Sequence, residues 1–123
     1  MSIDHRVVLG AEAQSAREAR QFVASVLRDE GIQAPSEVAL MTSELASNAI
    51  LHAATSFTVT VEAEPGHIVV DVEDGNQSEP TVRDQPVGAT NGRGLFLVDA
   101  LATSWGIAQR ERGKSVWFEL RWA

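Results

Sequence analysis

Between residues 44 and 52 the chain reads Glu-Leu-Ala-Ser-Asn-Ala-Ile-Leu-His, so that Glu44, Asn48 and His52 recur at every fourth position. At about 100° per helical residue these side chains form one narrow stripe. A carboxylate and a carboxamide one turn apart present hard oxygen atoms, the ligand type that a magnesium ion selects. His52 closes the stripe as either a helix C-terminal cap or a ligand. A second candidate is Asp74, which follows Ile68, Val70 and Val72 at the same strand parity, where an apolar strand face ends. A carboxylate there needs a hydrogen-bond donor, because an unpaired buried charge is costly. A ligand amino group would serve, and so would an Asx turn through Gly75-Asn76. The third segment, Asn91-Gly92-Arg93-Gly94, stands directly before Leu95, Leu97, Val98 and Leu101 at helical spacing. Glycines at a helix start let backbone amides approach a phosphate, the helix dipole favours the anion, and Arg93 can add a charge-assisted contact. Each pattern alone is common. The third is neither a Walker loop, since no Gly-Lys-Ser/Thr follows, nor a Rossmann fingerprint, since no strand is adjacent.

The elements that must position these residues are legible in outline. Val38, Thr42, Leu45, Ala49 and Ala53 fall beside the polar stripe and are apolar or small, so the helix opened by Pro35 and Ser36 should pack on that side and set the stripe at the border of the core. An earlier helix starts with Ser15 and Glu18 at capping-box spacing. It continues through Ala16, Ala19, Val23, Val26 and Leu27 until Gly31, with Arg17, Glu18, Arg20, Gln21, Arg28 and Asp29 outward. Arg6 to Leu9 reads as a short strand. Phe57, Val59, Val61 and Ala63 alternate with polar residues, Pro65-Gly66 turns the chain, and the return strand carries Ile68, Val70 and Val72 on one face with Asp71 and Glu73 on the other. Residues 75–92 have loop composition and no apolar period, and a loop this long in a small domain suggests a lid. A final strand pair runs from Trp105, Ile107 and Ala108 through a turn at Arg110 to Gly113 into Val116, Phe118 and Leu120, with the three tryptophans read as packing.

Composition bounds the function classes. With 123 residues, 44% of them hydrophobic, the chain is expected to form a single domain over 1–123. The balance of 17 acidic against 10 basic side chains, a formal charge of -7, repels a phosphodiester backbone and argues against direct nucleic-acid binding. The absence of cysteine excludes disulfides, thiolate metal sites and cysteine nucleophiles. No long apolar run or leader pattern stands out, so a cytoplasmic protein with no membrane association is expected.

The order of these segments resembles the GHKL ATPase superfamily, the Bergerat or histidine-kinase-like ATPase fold, and within it the stand-alone anti-sigma-factor serine kinases. The resemblance runs from about residue 10 to 122. It implies an α+β fold, a two-layer α/β sandwich with a mixed, mainly antiparallel sheet and helices on one face. It further implies that Glu44-Leu-Ala-Ser-Asn48-Ala-Ile-Leu-His52 is the N box, with Glu44 the general base and Asn48 the magnesium ligand. Asp74-Gly75-Asn76 would be the first glycine box, Asp74 accepting from the adenine amino group. Asn91-Gly92-Arg93-Gly94-Leu95 would be the second, holding the polyphosphate. Gly113-Lys114-Ser115-Val116-Trp117-Phe118 looks like the closing strand. By the same implication the cofactors are ATP and Mg2+, and the protein phosphorylates a serine on a STAS-type anti-anti-sigma partner, controls a sigma factor, and can form a homodimer. An alternative is a binding module with weak or no turnover, acting by protein contact. The chain departs from the family pattern at Asn76 to Ser78, where its glycines are missing, and at Phe96, where many relatives carry a glycine. On the last strand Lys114, rather than Ser115, is in phase with Val116 and Phe118. At this length no sensor domain, dimerisation helices or phosphoacceptor segment is expected.

Overall fold

The computed structural model describes residues 3–53, 55–75, 90–111 and 113–123. Their elements follow in the order β1 (Ile3–Leu9), α1 (Ser15–Asp29), α2 (Glu37–Ala53), β2 (Phe57–Glu64), β3 (His67–Asp74), α3 (Thr90–Leu101), β4 (Ser104–Gln109) and β5 (Lys114–Arg121). Asn76 and positions 76–89 of the expected lid lie outside the described residues.

The strands form one sheet in the order β1-β2-β3-β5-β4. Every pairing among the described strands is antiparallel, so no parallel pair accompanies them. Phe57, Val59, Val61 and Ala63 of β2, Ile68, Val70 and Val72 of β3, and Val116, Phe118 and Leu120 of β5 are all buried. Register aligns them: Val70 stands opposite both Val61 and Phe118, and Val72 opposite both Val59 and Val116. One sheet face is therefore apolar across three strands, and the helices cover it, giving the expected two-layer sandwich. Burying each of these side chains is worth about 1.5–3 kcal/mol for the larger ones.

α2 is the central helix, packed between α1 and α3 and against β3 and β5. Its buried stripe holds Val38, Thr42, Leu45 and Ala49, as expected, and is widened by Met41 and Ala46; the side chain of Ala53 lies outside the described residues. Thr42 satisfies its hydroxyl within the helix by donating to the Val38 carbonyl at 2.8 Å. The carbonyls of Pro35 and Ser36 accept the first amides, those of Val38 and Ala39, so these two residues do open the helix.

α1 departs from expectation at its start. Ser15 is the first helical residue, not the cap, and Gln14 caps without a side-chain bond. Ser15 is buried, so its hydroxyl turns inward to donate to the Gly10 carbonyl and ties β1 to the helix; the capping box is not made. The C-terminus ends as Gly31 suggested. Gly31 takes φ of +69°, its amide donates to Arg28, and the Ile32 amide donates to Leu27, a Schellman motif. β1 begins at Ile3 rather than Arg6, because it pairs along its whole length with β2 as an edge strand. Its outer face meets solvent, with Val8 63% exposed, and its first half carries Asp4, His5 and Arg6, so only the short apolar run that ends at Leu9 is legible.

Candidate functional site

On α2, Glu44, Asn48 and His52 are half-buried, between the buried stripe and solvent. A half-buried position suits metal ligation, because neighbouring atoms limit the side-chain rotamers while one side stays open to a ligand. Among the described residues no three His, Asp or Glu side chains gather into a metal cage. The donors nevertheless fit magnesium, which takes one or two protein oxygens and completes its shell with water and phosphate. Asn48, with Glu44 a turn away, could hold such an ion beside a phosphate chain.

Asp74 ends β3 on the helix-covered face. Its side chain is 4% exposed, and Lys114 of β5, whose side chain is 17% exposed, donates to Oδ2 at 3.1 Å. The two residues are direct cross-strand partners, which explains the contact: antiparallel neighbours at one register position share a face. The donor that the buried carboxylate requires is therefore supplied, at least in part, by the chain. His52 lies near both. Its imidazole is held below the ordinary histidine value mainly by desolvation, then by the positive charge of Lys114, with Asp74 opposing. The polar stripe of α2 thus runs toward the carboxylate at the end of β3, and Asn48 sits one turn before that meeting point.

Glycine at position 113 makes this arrangement possible. A Cβ there would lie 2.0 Å from the Asp74 carbonyl oxygen and 3.1 Å from the Gly75 Cα. The start of β5 therefore rests directly on the backbone of Asp74 and Gly75. The Gly113 carbonyl also accepts from the Arg110 amide at 2.7 Å, closing the β4–β5 hairpin. Thr55 receives the Gly75 amide on its hydroxyl at 3.3 Å. The sequence places Gly113 at the end of a turn from Arg110 and at the start of a closing strand; its close approach to Asp74 is visible once β3 and β5 are known to be neighbours.

Asn91, Gly92, Arg93 and Gly94 fall within the first turns of α3, which starts at Thr90 and so includes the glycines rather than following them. The first amides of any α-helix have no intrahelical acceptor. Leu95 is half-buried against the core, and Phe96 is 71% exposed. α3, which carries this segment, packs on α2.

The opposite sheet face carries a separate cluster. Arg110 donates to the Ser115 hydroxyl at 2.8 Å and lies 3.5 Å from Asp71, above a depression of about 300 Å3 lined by Thr60, Glu62, Val69, Asp71, Glu73 and Arg110. Burial pushes the Asp71 carboxyl up, with the Ser115 hydroxyl and Arg110 opposing and Glu73 reinforcing. Asp71 and Glu73 point away from the helices, as their parity required.

No helix among the described residues is long and apolar enough to cross a membrane. Over 65 residues the chain is 40% identical to an uncharacterised protein of Streptomyces coelicolor, a match covering 50% of this chain and 62% of that protein. Residues 9–120 match the family described as the histidine kinase-like ATPase domain. With the described helices layered on an antiparallel sheet and a match spanning nearly its whole length, the chain belongs to the histidine kinase-like ATPase domain family of the GHKL superfamily.

Proposed function

We propose that this chain is an anti-sigma-type regulator that binds ATP with magnesium and phosphorylates a serine of an anti-anti-sigma partner. The observation that supports this reading is the arrangement about α2: the stripe of Glu44 and Asn48 ends at His52, which feels the charges of Lys114 and buried Asp74, and α3 packs on the same helix. Bound Mg-ATP would supply the transferred phosphoryl group and neutralise its charge. Glu44 takes the proton of the attacking serine hydroxyl while that oxygen bonds to the γ-phosphorus and the bond to the β-phosphate oxygen breaks, releasing ADP. Asn48 orients the metal end and Asp74 the base end. With the partner phosphorylated, the sigma factor stays with this protein, in the cytoplasm.

The test is transfer of labelled γ-phosphate to a serine-bearing STAS-type protein. Glu44→Ala should lower the rate by about 100-fold or more, the usual contribution of a general base, with an unchanged circular dichroism spectrum. Undiminished transfer by a folded variant overturns the assignment. The Lys114 contact on Asp74 favours a second reading, a binding module of the same fold with little turnover. Calorimetry with ATP and magnesium separates them: binding followed by ADP production supports the kinase, and no heat supports the module.

A further inference from the structure

A purine amino group can hydrogen-bond to Asp74 only by reaching its carboxylate, and that carboxylate is nearly inaccessible, with Lys114 seated against Oδ2 at 3.1 Å. An ammonium and a purine amino group are both N–H donors of similar reach, so they compete for Oδ2, one of the two acceptor oxygens of the carboxylate. The competition is uneven, because the bond from lysine is charge-assisted and lies between groups largely withdrawn from water. Lys114 is held in place by its strand: it stands opposite Asp74 in register, and Gly113 presses the start of β5 onto the Asp74 backbone. Its long stem is also the most adaptable part of the site, able to carry the ammonium into solvent with no backbone change.

The geometry points to Lys114 as an internal competitor for the base end of the site: its ammonium sits on Oδ2 of the nearly inaccessible Asp74 carboxylate, so a purine amino group that takes this oxygen must displace it. This inference rests on the nucleotide reading above and adds what that reading leaves open, the selectivity for the base. A nucleotide entering the wild-type site is held by its phosphates and metal while its base goes largely unread. The protein therefore accepts purine nucleoside triphosphates with and without a 6-amino group nearly alike, and loss of the lysine creates the preference for adenine.

Calorimetry in magnesium with ATP, with inosine triphosphate, which carries an oxygen in place of the amino group, and with tripolyphosphate tests this on wild type, Lys114→Thr and Lys114→Gln. Wild type should bind ATP and inosine triphosphate within about threefold of each other, whereas Lys114→Thr should bind ATP about tenfold more tightly than wild type and inosine triphosphate almost unchanged. A wild type that already prefers ATP by about tenfold, or a Lys114→Thr protein that binds ATP no more tightly, overturns the inference. Should Lys114→Thr fail to fold by circular dichroism, Lys114→Gln decides, since it removes the charge and keeps a donor: tighter ATP binding supports the inference and unchanged or weaker binding overturns it. If all proteins take tripolyphosphate and inosine triphosphate but the variants gain nothing for ATP, the nucleotide reading stands and the lysine inference falls. If none of the three compounds binds any protein, both fall together.

Discussion

A single carboxylate shows how one position can carry both stability and pH response. Glu119 on β5 accepts from the Ser104 hydroxyl at 2.7 Å, contacts His67 at 2.6 Å and lies 3.0 Å from Arg121. The hydrogen bonds from Ser104 and His67, with the Arg121 charge, hold its carboxyl below the usual value of 4.5. A carboxyl lowered in the folded state stabilises the fold at pH values above 4.5, and that stabilisation is lost as pH falls through the lower folded value. Glu119→Gln should therefore cost about 1 kcal/mol at pH 7 and progressively less as pH falls below 4.5, measured by urea denaturation across that range. A cost that does not shrink in acid would remove the carboxylate from this account. Asp71 behaves oppositely, since burial raises its carboxyl and favours the protonated form. Residue types alone did not disclose these networks: Ser104, His67 and Glu119 are far apart in the chain and meet only when β5 lies between β3 and β4.

At the scale of elements, what could be read in advance was what repeats locally. The alternation in β2, the parity that separates Asp74 from Asp71 and Glu73, and the two stripes of α2 follow from periods of two and 3.6, which one segment displays without its neighbours. The same parity put Lys114 in phase with Val116 and Phe118. That Asp74 would be its partner was not legible, because the pairing of β3 with β5 spans α3 and a hairpin. Ser15 misled for a related reason: its spacing to Glu18 matches a cap, while its burial, set by the path of the chain from β1, gives its hydroxyl to Gly10. The edge strand β1 was only partly visible, since solvent on one side permits charged residues. Gly113 makes the element-level lesson testable. Gly113→Ala places a methyl where the Asp74 carbonyl already lies, so β3 and β5 must separate at that end. The variant should lose about 1–3 kcal/mol of stability, the cost of overpacking a rigid contact, and slow amide exchange at Gly75 and Lys114 should be lost first.

Across the molecule, a single core joins three helices to three central strands, and Phe118 lies fully buried within it, opposite Val70. Phe118→Ala should cost about 3–5 kcal/mol, against a typical total of about 5–15 kcal/mol for a domain, and should lower the urea midpoint without changing the slope. A loss below about 1 kcal/mol would mean that the core can collapse around the deletion. The two faces of the sheet divide the labour. One carries the helices and the candidate nucleotide residues; the other presents Asp71, Glu73, Ser115 and Arg110. The strand order also fixes the timing of assembly. β5 separates β3 from β4, so on the ribosome both earlier strands wait with bare edges until residue 121 has been made and has left the exit tunnel. A nascent chain stalled near residue 113 would hold α1, α2 and α3 and still lack the ladder that β5 makes with β3 and β4, a species for chaperones to shield rather than a smaller working protein.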